Sequence, residues 1–248
     1  MFFMRLRRGA KWAFIVLIFV FAFSFLFAGV GTGTGGSDLI QELLGMRGGN
    51  PLKSAQSGVT QHPKDPTAWV TLAQAYSSQN NRGGAIKAWK KYLELKPNDT
   101  TGLSQLGNLQ EEATNLRWAR YSDLQAELRL ISGPLGSNPL QSLTGTDSLL
   151  TTYATLLSTK LDSAYSSYIE AAGAWESTFK AYAKAVPKTN AIQRAQIELQ
   201  LAQAASSATD YATAIKSYKT FLRLTPKSPY AAQVKKVLAE LQKASPSS

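Results

Sequence analysis

The chain has 248 residues, with 27 Lys and Arg against 16 Asp and Glu, a formal charge of +11, one histidine and no cysteine. Without cysteine it has no disulfide, no thiolate zinc site, no thiol nucleophile and no lipid-modified N-terminal cysteine. The positive charge is scattered, densest at Lys90-Lys91 and Lys235-Lys236; nucleic-acid binding needs a focused basic stripe or a known module, so nucleic acid is not expected as a partner.

Residues 1–11 form a basic flank, with Arg5, Arg7, Arg8 and Lys11. Residues 12–30 read WAFIVLIFVFAFSFLFAGV and contain no charge. As a helix they would span about 28 Å, close to the hydrocarbon thickness of a bilayer, with Trp12 at headgroup level. No cation follows until Arg47. This asymmetry predicts a single transmembrane helix in the cell membrane, the N-terminus cytoplasmic and the rest of the chain extracytoplasmic. The alternative is a cleaved signal peptide and a secreted product. Its apolar region would run only about 7–15 residues before a small-x-small site, which 12–30 lacks. Residues 31–63 are rich in Gly and Ser and read as a flexible linker. Within it Asp38–Met46, DLIQELLGM, suits a short helix that Gly48-Gly49-Asn50-Pro51 would end.

The strongest pattern lies at 66–98. Trp69, Leu72, Ala73 and Tyr76 stand at i, i+3, i+4 and i+7, one face of a helix. Asp65-Pro66 starts that helix, the acid as cap and the proline at the first position. Asn80-Asn81 and Gly83-Gly84 break it. Ala85, Ile86, Trp89, Tyr92 and Leu93 line a second helix, which Pro97 ends. The order Trp69, Leu72, Ala73, Tyr76, Ala85, Trp89, Pro97 resembles the tetratricopeptide repeat, a helix pair of roughly thirty-four residues. Ala73 stands for the usual glycine and Trp89 for the usual phenylalanine.

A degenerate unit follows, with Leu103, Leu106, Gly107, Ala119 and Ala126 at corresponding positions and a second helix expected over 116–131. Residues 132–146 read as a loop of Gly, Pro, Ser and Thr. From Asp147, a predicted cap, Leu149, Leu150, Tyr153, Leu156, Leu157 and Leu161 trace one helix face. Gly173 is expected to mark a turn, with Trp175, Phe179 and Tyr182 on the next helix and Pro187 at its end. A clearer unit closes the series: Leu201, Ala202, Ala205, Ala214, Tyr218, Phe221 and Pro226, with 208–210 as its turn. The amphipathic segment 229–243 would cover the last pair. Residues 244–248 are expected to be disordered.

The resemblance covers 64–243. It implies an all-α fold, a right-handed solenoid of antiparallel helix pairs, and a groove lined by the first helix of each pair. Groove positions carried over from the motif are Thr67, Val70, Gln74 and Ser77 in the first unit. Ser104, Asn108, Glu111 and Glu112 follow in the second, then Gln196 and Gln203 in the last. Val70, Gln74 and Ser104 stand where the carboxylate-clamp subfamily places cations, so a clamp of that kind is not expected.

Nothing points to catalysis. His62 sits in a loop without acidic neighbours, Glu111 and Glu112 are adjacent and diverge, and GTGTGG at Gly31 follows no strand. No cofactor or metal is expected. The function read from this layout is a membrane-anchored, non-enzymatic scaffold binding a protein or peptide at the extracytoplasmic face, in secretion or envelope assembly. Two alternatives stay open: a basic domain binding an anionic envelope polymer or lipid surface, and a self-assembling structural protein. The homo-oligomeric state is not fixed by the sequence.

Overall fold

The computed structural model describes residues 50–132, 146–187 and 189–244. The chain divides into two units, 1–51 and 52–248, and nearly all described residues belong to the second. Among them every regular element is a helix: α1 Pro51–Gln61, α2 Pro66–Ser78, α3 Arg82–Leu95, α4 Thr100–Ser132, α5 Thr146–Ala185, α6 Ala191–Ser207, α7 Tyr211–Leu224 and α8 Ala231–Ala244. From α2 onward each helix packs on its successor.

The expected membrane span, 12–30, lies outside the described residues, as do the short helix at 38–46, residues 133–145 of the expected loop and the tail 245–248. Among the described residues no helix is long and apolar enough to cross a membrane. The single-pass placement, with the repeat domain on the far side, is corrected accordingly: no span supports it.

The two outer pairs, α2–α3 and α6–α7, are joined by the same turn built from different residues. Asn80 and Thr209 take left-handed backbone angles, φ 54° and 61°. Asn81 N donates to Tyr76 O at 2.9 Å and Asn80 N to Ser77 O at 3.0 Å; Asp210 N donates to Ala205 O at 2.8 Å and Thr209 N to Ser206 O at 3.2 Å. These paired bonds return two carbonyls left orphaned at the helix end. The next residue then caps the following helix. Asn81 Oδ1 accepts from Gly84 N at 2.9 Å, and Asp210 Oδ1 from Thr213 N at 3.0 Å. Asp65 caps α2 through Thr67 N at 2.9 Å, with Pro66 at the first position.

Packing follows the motif. Leu72, Ala73, Ala85 and Trp89 are buried, with Trp69 and Tyr76 at the rim and Pro97 exposed in the turn. Gly84 lies beneath Tyr76: a Cβ there would come within 2.5 Å of the ring, so only glycine lets α2 and α3 approach this closely. Ala214, Tyr218 and Phe221 are buried with Ala202 and Ala205 in the C-terminal cluster, which Val234 of α8 closes. Pro226 is exposed in the turn after α7.

Three expectations fail. Residues 50–61, assigned to the linker, form α1, whose Leu52, Ala55 and Val59 join the first core cluster. Pro51 starts the helix, and Leu52, Ala55 and Val59 share a face at i, i+3 and i+7. The helix break expected before 116 is absent. α4 runs unbroken for 33 residues, about 50 Å at 1.5 Å per residue, leaving Ala119 and Ala126 exposed. The turn at Gly173 is absent as well, since α5 runs for 40 residues. In place of two repeats stands one long helix pair. Gly107 still serves as a contact glycine, but its partner is Phe179 of α5, whose Cε2 would lie 2.6 Å from a Cβ.

Candidate functional site

One cavity, with a volume of about 650 Å³, is walled by five helices. Ser104 and Asn108 come from the first turns of α4, and Phe179 and Tyr182 from the end of α5. Gln193, Gln196, Gln200 and Gln203 come from α6, Tyr218 from α7, and Gln233 and Val234 from α8. The four glutamines stand at i, i+3, i+7 and i+10 and so share one face. The opposite register of α6 carries Ala195, Ala202 and Ala205, fully buried against α7. This division sets the amides on the cavity wall.

None of the lining residues is charged. The wall is amide and phenol over an apolar floor that includes Phe179, Ile197 and Val234. Gln193 is already held: it accepts from Asn190 Nδ2 at 2.9 Å and donates from Nε2 to the Tyr182 hydroxyl at 3.3 Å. Gln200 Oε1 is buried with no hydrogen-bond partner among the described residues. Burial pushes the Tyr218 phenol above its ordinary pKa, so it stays a neutral donor. Such a surface can bond the N–H and C=O groups of an uncharged segment and has no ion to offer a charged one.

Four of the expected groove residues, Ser104, Asn108, Gln196 and Gln203, line this one cavity. The four on α2 do not. Thr67, Gln74 and Ser77 are exposed elsewhere, and Val70 packs against the first core cluster that α1 also joins. Glu112 pairs with Arg82, which holds its carboxyl below the ordinary range, while burial raises that of Glu111. Sequence reasoning missed Gln193, Gln200 and Gln233. The glutamine stripe along α6 was the available signal for the first two; the contribution of α8 needed the packed structure.

Outside the cavity, buried Glu176 pairs with Lys180 at 2.5 Å, and Lys180 with Asp210 at 3.2 Å. Burial raises the Glu176 pKa, and the backbone N–H of Thr213 leads the effects lowering that of Asp210. The cluster pins the α6–α7 turn to α5. Among the described residues no three His, Cys, Asp or Glu converge on a metal site, and exposed His62 stands alone in its loop.

Residues 66–99 match the tetratricopeptide repeat family. The matched segment is the α2–α3 pair with its closing turn. Tetratricopeptide repeats are generally non-enzymatic protein-interaction modules, and this match supports a scaffold of that kind. None of the curated proteins compared matches the chain.

Proposed function

We propose that the chain is a non-enzymatic scaffold that holds an uncharged, extended segment of a protein partner in the cavity walled by α4, α5, α6, α7 and α8. The observation that carries this reading is the wall itself: a row of amides and tyrosines, no charge, and an apolar floor. An extended peptide presents its backbone donors and acceptors every residue, and side-chain amides can meet both kinds. Charged partners would lose hydration there without gaining an opposite ion.

The test is site-specific crosslinking from Gln203, inside the cavity, and from Gln74, outside it. A discrete adduct from position 203 that unlabelled protein competes away supports the groove. The same adducts from both positions, or none from 203, overturns it.

A further inference from the structure

A second site lies on the outer stretch of the α4–α5 pair. Arg117, Arg120 and Lys160 line a single cleft of about 520 Å³ together with Thr159, Ser163 and Ser167, over the small buried floor of Ala164. Arg117 and Arg120 are i, i+3 on α4, and Lys160, Ala164 and Ser167 are i, i+4, i+7 on α5, so the two facing helices bring the cations together. No acid lines this cleft. Elsewhere Arg82, Lys91, Lys180 and Arg194 each pair with a carboxylate, but among the described residues Arg117, Arg120 and Lys160 make no such pair.

Arg117 is also held in place. Its Nε donates to Ser167 Oγ at 3.0 Å and its Nη1 to the Ala113 carbonyl at 3.2 Å. Two further clefts meet at this guanidinium. One is shared with Arg82 and Arg120; the other, of about 160 Å³, is shared with Ser167, Lys90, Glu170 and Gln110. Gln110 is 4% exposed, and its Oε1 is buried with no hydrogen-bond partner among the described residues. That amide faces the smaller cleft, which also holds the Glu170 carboxylate, and not the cleft of Arg117, Arg120 and Lys160.

We propose that the cleft of Arg117, Arg120 and Lys160 binds a tetrahedral oxyanion of the phosphate type. Guanidinium forks match phosphate oxygens and form the stronger, charge-assisted hydrogen bonds. The Ser163 hydroxyl adds a neutral donor, while that of Thr159 already donates to Thr155 O at 3.1 Å.

The test titrates the full-length protein with inorganic phosphate, glycerol phosphate and chloride at matched ionic strength, reading thermal midpoint and Arg side-chain NMR signals. Binding by either phosphate and not by chloride is expected, with Kd raised at least about tenfold by Arg120→Gln or Lys160→Gln. These two exposed side chains can be changed without loss of a core contact. Tighter binding of glycerol phosphate identifies an organic phosphate as the source; equal binding identifies free phosphate. Responses equal to those in chloride, or unchanged in both variants, overturn the site.

Discussion

The α4–α5 pair is two structures in one. Its inner half, Leu103 to Thr114 against Ala172 to Val186, is locked between neighbours on both sides, with Leu106, Trp175 and Phe179 buried. Among the described residues its outer half is flanked by α3 at its base alone, where Arg82 and Ile86 line a cleft with Leu116, Arg117 and Arg120. Leu157 and Ala164 are buried there, but Trp118 is 49% exposed and Leu130 68%. Trp118, Tyr121, Tyr165 and Tyr168 form a ring cluster with centroids 5.1–6.3 Å apart, half open to solvent. Helix continuity therefore does not imply uniform stability; what flanks each half sets its hold on the fold.

The largest test of that contrast removes one ring from each half. Phe179→Ala is expected to cost about 3–5 kcal/mol, the range for a buried aromatic, and Trp118→Ala less than about 2 kcal/mol. Both are read as urea midpoints, and equal losses would erase the distinction. Gly107→Ala sharpens it from the other side: a methyl driven into Phe179 is expected to cost about 1–3 kcal/mol, whereas Gly173→Ala, with nothing within 4 Å, is expected to stabilise by up to about 1 kcal/mol.

The clamp between the inner half and the α6–α7 turn gives a pH test. Asp210 has a carboxyl held below its ordinary 3.8. Its contribution is complete above that value and is lost as pH falls through the lower folded value. Asp210→Asn keeps a capping oxygen, as Asn81 shows in the first pair, but loses the charge. Its stability deficit against the parent should be visible near about pH 7 and shrink on acidification toward about pH 3; a deficit that grows would contradict the assignment. Asp210→Ala loses the cap as well, about 1 kcal/mol more. The smallest expected effect lies one residue earlier. Thr209 is β-branched at a positive φ, so Thr209→Gly should stabilise by about 1 kcal/mol, and Asn80→Gly by less, since asparagine tolerates that region. Thermal midpoints of the two variants decide it.

The α2–α3 and α6–α7 pairs were legible because stop and start chemistry is local. Asp65-Pro66, Asn80-Asn81 and Thr209-Asp210 each hold a cap or a left-handed residue where the chain turns. The middle was not. Thr114-Asn115 stands thirty-four residues after Asn80-Asn81 and resembles Thr209-Asp210, yet the helix runs through it. The Thr114 hydroxyl bonds back to Gln110 O at 2.7 Å within the helix, and α5 packs alongside. A tertiary partner decides such a case, and no local signal carries it. The helix α1 was hidden by the opposite effect: Gly58 and its serines read as coil, while Leu52, Ala55 and Val59 needed a core to show their purpose. For the groove, residue type picked out positions on α4 and α6, but could not tell that Val70 serves the core.

Neither α4 nor α5 contains a proline, the commonest cause of a sharp bend in a helix. Any change in the width of the groove is then expected at joints between its walls, such as those that follow Ala185, Ser207 and Leu224. The rods behave as stiff bars in a linkage. A guest entering between Ser104 and Gln203 would swing them about those pivots, and each bar would carry the motion undiminished along its length.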